Sequence, residues 1–319
     1  MWLLRTATLT LHYFVSPDQV KPGYVILSHV WDKDEQTFQD VRQIHARCEA
    51  SGEDRRKAVS LKIRRFCEVA EEQGYAWAWV DTCCIDKTSS AELSEAINSM
   101  YRYYSLALVC FVYLDDVPTS SMHHHGTQTP KPGLSSFARS KWHSRGWTLQ
   151  ELIAPRTVLF LSDSWEFLGS KVEFADELKM ITRIPAPVLT LEQSPAELSV
   201  ACRMSWAAGR STTRLEDQAY CLLGLFDINM PTLYGEGNKA FRRLQEEIMK
   251  HSPDTTLFAW GHSLSDYRTL SLFIPGSDES AGLFATSPLY FKDCSNIEYI
   301  PRRHLGDTGS GPVVLQVCG

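Results

Sequence analysis

The sequence predicts an α/β fold, with a mostly parallel, doubly wound sheet flanked by helices and then a helical plus β-rich C-terminal extension. Two observations predict it. Tyr24–Leu27, Ala76–Val80 and Ala107–Leu114 are short apolar runs without polar alternation, as expected of strands covered on both faces. Between them lie segments whose apolar residues fall at helical spacing, and parallel neighbours need crossovers of that kind.

Taken in order, residues 1–23 read as a β hairpin ending at the turn signal Lys21, Pro22, Gly23. After the strand at Tyr24–Leu27, the residues Phe38, Val41 and Ile44 mark one helix. Val59, Ile63, Phe66, Cys67 and Ala70 form the apolar stripe of a second, which Gly74 ends. A further helix runs through Leu93, Ile97, Met100 and Tyr101, and Pro118–Gly133 reads as a surface loop rich in Ser, Thr, His, Gly and Pro. Thr157–Leu161 supplies another strand and Val172–Ile181 another helix. Ser199–Ala208, Leu215–Leu225 and Asn238–Lys250 are helical, and the chain turns strand-like from Thr256–Trp260, with a last strand at Val313–Val317.

At 319 residues the chain has room for one main domain and a substantial second part, divided here as 1–183 and 184–319. With 44% hydrophobic and 22% charged residues it has the composition of an ordinary globular protein. A formal net charge of −6 argues against a nucleic-acid partner, and the basic stretch Arg55, Arg56, Lys57, Lys62, Arg64 and Arg65 reads as the wet face of a helix. No apolar run is long enough to span a bilayer, and the N-terminus lacks the frame of a signal peptide. Nine cysteines without a secretory signal point to reduced thiols in the cytoplasm.

In open α/β sheets, ligands sit at the carboxyl ends of the strands where the strand order reverses. Three polar or aromatic clusters fall at such ends: Ser28, His29, Val30, Trp31; Asp81–Asp86; and the stretch SRGWTLQEL, Ser144–Leu152. His29 has the chemistry to orient a substrate or move a proton, and equally that of a packed histidine bonded to backbone. Asp81 suits a ribose hydroxyl or the cap of its own turn. Glu151 is either a solvated helix residue paired with Arg145 or Arg156, or an acid aimed into the crevice. Cys83 and Cys84 allow a thiol nucleophile, against which stands the burial habit of free thiols. His123, His124 and His125 do not make a tetrahedral metal site by adjacency alone, so no metal is expected. Gly235-Glu236-Gly237-Asn238-Lys239 lacks the spacing of a phosphate loop.

LSHVW (Leu27–Trp31), WVDTCCIDK (Trp79–Lys87) and SRGWTLQELIAP (Ser144–Pro155) resemble the three signature blocks of the fungal heterokaryon-incompatibility (HET) domain. Arg214–Lys250 is similar to the segment that accompanies that domain, and the likeness reaches to about Trp260. Asp32 stands where the family often has glycine. The resemblance implies a role in non-self recognition and programmed cell death in filamentous fungi. It also implies a fold similar to the Toll/interleukin-1 receptor (TIR) domain, a flavodoxin-like α/β module.

Some TIR domains cleave NAD at the nicotinamide bond with one glutamate in a block that SRGWTLQEL resembles, although threonine replaces its cysteine. The resemblance therefore implies Glu151 as the catalytic acid and NAD as a substrate. Ser28, His29, Trp31, Asp81, Asp86, Arg145 and Trp147 would line the pocket, Trp147 stacking on a ring and Arg145 meeting a phosphate. No bound cofactor is expected. The alternative is a non-catalytic module that self-associates or binds like domains.

Overall fold

A hairpin opens the chain: β1 (Trp2–Arg5) pairs antiparallel with β2 (Leu11–Tyr13). The structure, a computed structural model, describes residues 1–119, 132–261 and 283–300. β3 (Val25–His29) follows, buried along its whole length. The first crossover contains α1 (Phe38–Ser51), the single turn α2 (Arg55–Ala58) and α3 (Leu61–Glu72). Thr37 and Asp40 close a reciprocal capping box at the start of α1, and Gly52 ends the helix at φ 75°. The Ser60 hydroxyl accepts from the Ile63 amide, which starts α3 two residues after Val59 and splits the stripe read as a single helix.

β4 (Trp77–Trp79) comes next, then α4 (Ser90–Leu106), β5 (Val109–Tyr113), α5 (Pro132–Arg139) and α6 (Thr148–Ile153). β6 (Val158–Leu161) and β7 (Phe167–Ser170) form a closing hairpin. The seven strands make one mixed sheet in the order β2-β1-β4-β3-β5-β6-β7. β4, β3, β5 and β6 are mutually parallel, and β2, β1 and β7 extend the sheet antiparallel at its two sides. Counted from β3, the parallel strands lie in the order second, first, third, fourth, the flavodoxin-like arrangement, which puts the reversal point between β3 and β5.

Successive strand side chains point to opposite faces, and the aromatic core shows which helices cover which face. Phe66 of α3 packs edge-on against Phe111 of β5, 6.0 Å between ring centroids. On the other face Trp79 of β4 meets Tyr103 and Tyr104 of α4 at 5.9 and 6.0 Å. In the parallel register Leu27 lies beside Phe111, and Ile26 lies beside both Cys110 and Trp79. Ser28 therefore shares the α4 face and His29 the α3 face.

The C-terminal part continues with α7 (Ala175–Thr182), α8 (Ala186–Leu189), α9 (Val200–Ser205), α10 (Asp217–Tyr220) and α11 (Lys239–His251). The Asn98 side-chain amide on α4 exchanges two hydrogen bonds with the backbone of Met230. Gly224 sits so close to α4 that a Cβ there would lie 2.0 Å from Cβ of Tyr101. One apolar core runs unbroken across residue 183.

The expected β-rich extension is corrected in part: Thr255–Phe258 is a 3-10 helix, not a strand, and no strand follows β7 among the described residues. The Asp254 carboxylate accepts from the amide and hydroxyl of Thr256, a local cap that overrides the strand preference of the β-branched residue. The strand expected at 313–317 and the histidines at 123–125 lie outside the described residues.

Candidate functional site

Glu151 sits on α6, a helix of six residues, all buried. So short a helix is not stable alone and is held at both ends by tertiary contacts. At its start the Thr148 hydroxyl donates to the carbonyls of Trp142 and Arg145, at 2.6 and 2.9 Å. Arg210 Nη1 donates to the same Arg145 carbonyl and to Thr148 Oγ1, each at 2.9 Å. At its end the buried Lys171 ammonium donates to the carbonyls of Leu152 and Pro155, at 3.2 and 2.6 Å. Burial pulls Lys171 down to about 8. Gly146 is needed because the chain at 211–212 runs against it: its amide donates to the Ser211 carbonyl at 2.9 Å, and a Cβ would lie 2.4 Å from Thr212 Cγ2.

The helix aims Glu151 at the carboxyl end of β3. The Ser28 hydroxyl donates to Glu151 Oε2 and accepts from Trp142 Nε1 at 2.8 Å. Tyr104, whose hydroxyl donates to the Leu27 carbonyl at 3.1 Å, lies beside the Glu151 carboxyl. Glu151 is only 8% exposed. Burial pushes it up to about 8, and the negative charge of Asp81 acts in the same direction; the Ser28 bond and the Arg210 charge oppose them. The Glu151 carboxyl is thus mostly protonated at pH 7.

On the opposite face His29 is held between a carboxylate and an ammonium. His29 Nε2 lies 3.2 Å from Asp81 Oδ1, and Lys62 Nζ lies 3.2 Å from His29 Nδ1. The ammonium has only protons to give, so this network assigns the ring hydrogen to Nε2, donated to Asp81. Asp81 Oδ2 accepts from the Trp31 indole at 2.7 Å. Burial raises the Asp81 carboxyl, but the bonds from His29 and Trp31 and the nearby Lys87 outweigh it and hold the group below its usual range. Trp31 is half exposed, and Lys87 Nζ stands 3.8 Å above its ring. Lys62 also donates to Asp32 at 2.7 Å and to Glu35 at 2.5 Å, so the acid that replaces the usual glycine is paired.

The fold thus joins five of the eight expected site residues in two hydrogen-bonded groups at the end of β3: Ser28 with Glu151, and His29 with Asp81 and Trp31. The other three are engaged elsewhere. Asp86 Oδ1 accepts from the amide of Thr88 at 3.0 Å and from Gln39 at 2.5 Å, an Asx turn. Arg145 donates to Thr213 at 3.0 Å, and Trp147 hydrogen-bonds Asp217, so both turn to the C-terminal part. Glu151 pairs with neither Arg145 nor Arg156.

Sequence reading missed Trp142, Tyr104 and Arg210, which carry no motif. Lys62 was expected on a wet helix face, yet its side chain is 12% exposed. Its signal lay in the spacing of Asp32 and Glu35 just after the strand. Cys83 and Cys84 are 0% and 2% exposed, and a hydrogen bond between the two free thiols, with burial, drives Cys83 far up, so neither is an available nucleophile in the folded chain. The amides of Gly235 and Gly237, both at positive φ, donate to the Glu216 carboxylate at 2.7 and 3.0 Å, so this glycine loop wraps a side chain of its own protein. Among the described residues no cluster of three or more His, Cys, Asp or Glu is placed to hold a metal, and no helix is long and apolar enough to cross a membrane.

A doubly wound α/β domain with a polar cluster at the carboxyl end of its central strand defines the class. Residues 24–132 match the family model of the heterokaryon incompatibility protein (HET), and residues 239–310 match a domain of unknown function, DUF8212. The chain is similar to the vegetative incompatibility protein HET-E-1 of Podospora anserina, with 43% identity over 233 residues. That alignment covers 72% of this chain and 16% of the relative. The chain carries a HET domain and belongs, through it, to the heterokaryon incompatibility family. No solved structure matches it.

Proposed function

We propose that this chain is a heterokaryon-incompatibility module acting in non-self recognition and cell death, and that it hydrolyses NAD at the nicotinamide–ribose bond with Glu151 as its acidic residue. In this reading the parallel core is TIR-like, residues 1–183 form the catalytic unit, and residues 184–319 form the part that packs against it. One observation supports the chemistry above the others: Glu151 and Asp81, both at the end of β3, are pushed in opposite directions, one neutral and one ionised. Two neighbouring carboxyls held in opposed states suit proton and charge management.

Nicotinamide in NAD is a cation, so the ionised Asp81 and the face of Trp31 favour it in the crevice. A cation arriving beside Glu151 favours its ionised form, so the carboxyl releases its proton to solvent. The carboxylate then stabilises an oxocarbenium-like ribose. The bond from nicotinamide nitrogen to ribose C1′ breaks with its electron pair going to the ring, which leaves neutral. Water adds to C1′ and passes a proton to Glu151. The test is nicotinamide release from NAD by the purified chain and by Glu151→Gln. Release by the native chain and its loss in the variant are expected; equal rates would remove Glu151 from the mechanism.

The burial of Glu151 favours a second reading, a non-catalytic self-assembling module in which the Trp142–Ser28–Glu151 chain maintains the fold. It predicts no nicotinamide release and cell toxicity that survives Glu151→Gln.

A further inference from the structure

A cleft of about 260 Å³ is lined by none of the residues grouped at the end of β3. It lies between the end of α7, the segment after α9 and the turn carrying Leu289 and Lys292. His143, Arg183, Arg210 and Lys292 all line it, and no carboxylate does. Among the described residues none of the three cations Arg183, Arg210 and Lys292 forms an ion pair. Three cations gathered without a counter-charge repel one another, an arrangement that an anion relieves.

Three buried atoms of the lining residues lack a hydrogen-bond partner: Arg210 Nη2, His143 Nδ1 and Trp206 Nε1. Arg210 spends Nε on the Trp206 carbonyl and Nη1 on Arg145 and Thr148, while Nη2 has none. His143, 8% exposed, spends Nε2 on the Phe137 carbonyl at 3.0 Å and leaves Nδ1 without a partner. Burial and the Arg210 charge pull His143 down to about 4, so at neutral pH Nδ1 is an acceptor. Two of the vacancies are donors, one cationic (Arg210) and one neutral (Trp206), and the third is a neutral acceptor (His143). A ligand that completes them carries negative oxygens and a hydroxyl proton.

We propose that this cleft is a binding site for a phosphate-type anion, with Arg210 and His143 at its base and Arg183 and Lys292 at its mouth. Hydrogen phosphate offers oxygens to Arg210 Nη2 and a P–OH to His143 Nδ1. Sulfate at neutral pH has no proton to offer. The volume falls below the range of about 300–1,000 Å³ usual for drug-sized ligands, so the site takes a phosphoryl or pyrophosphoryl group and leaves any remaining part of the ligand outside. Arg210 also fastens the start of α6, so an occupant would be felt by the helix that carries Glu151. The site does not depend on the NAD reading.

The test is calorimetric titration of the full chain with inorganic phosphate, sulfate and ADP at constant ionic strength. Saturable phosphate binding, weaker sulfate binding and a loss of about tenfold in phosphate affinity for Lys292→Ala and for Arg183→Gln are expected, each variant removing one charge-assisted bond. Both residues are exposed, and Lys292→Ala keeps the carbonyl to which Arg183 Nη1 donates at 2.7 Å, so agreement of the two variants separates loss of charge from loss of that bond. ADP binding tighter than phosphate identifies the phosphoryl end of a nucleotide as the ligand, and equal or weaker ADP binding identifies the free anion. Absence of saturable binding by phosphate and ADP alike, equal affinity for sulfate, or affinities unchanged in both variants would overturn the proposal.

Discussion

Glu151→Gln separates a neutral buried acid from an ionised one through the pH dependence of stability. Folding raises this carboxyl from its ordinary 4.5 to about 8. Between those values the folded chain holds a proton that the unfolded chain releases. Stability from this group is therefore complete below pH 4.5, declines as pH rises, and levels off above 8. At about 1.4 kcal/mol per pH unit, the gap sets a ceiling of about 5 kcal/mol. Glutamine is neutral at every pH and keeps the shape, so the difference between the two proteins isolates this residue from all other titrations. Urea unfolding of both at pH 5, 6, 7, 8 and 9 should show the native chain losing several kcal/mol relative to the variant between pH 5 and 8. A difference constant to within about 1 kcal/mol across that interval would refute the argument, since it would mean that Glu151 ionises as freely folded as unfolded.

Trp142→Phe removes the indole donor to Ser28 and leaves space at a fully buried position, and should lower stability by about 2–4 kcal/mol in the same unfolding assay. Gly224→Ala sets a methyl 2.0 Å from Cβ of Tyr101 and should cost about 1–3 kcal/mol or more as the 224–226 turn is pushed off α4, seen as a lowered melting temperature. The eight described cysteines are free and buried, so a thiol reagent should label them only after denaturant is added; rapid labelling of Cys83 or Cys84 in the folded chain would contradict their placement.

The four parallel strands were legible because Tyr24–Leu27, Ala76–Val80, Ala107–Leu114 and Thr157–Leu161 are covered and hence apolar in runs. β7 was not, because Phe167–Ser170 is a short edge strand with a glycine inside it, the pattern of a turn as much as of a strand. The strand preference of Thr256 misled for a local reason, the Asp254 cap, which outweighs propensity over four residues. At the site, strand-end logic located Ser28, His29, Trp31 and Asp81, while Glu151 was distinguished from a surface glutamate only by family resemblance. Its partner lies 123 positions away, and no local pattern encodes a contact of that range. The same holds for Trp142, which reaches Ser28 across 114 positions.

The opposed ionisation of the two carboxyls at the end of β3 is tested most directly by carbon NMR of carboxyl-labelled protein across pH 3–10, with Glu151→Gln assigning the resonance. The account predicts one glutamate that titrates near 8 and vanishes in the variant, alongside an aspartate that stays ionised below the usual carboxylate range. A Glu151 resonance that titrates with the surface glutamates near 4.5 would contradict it.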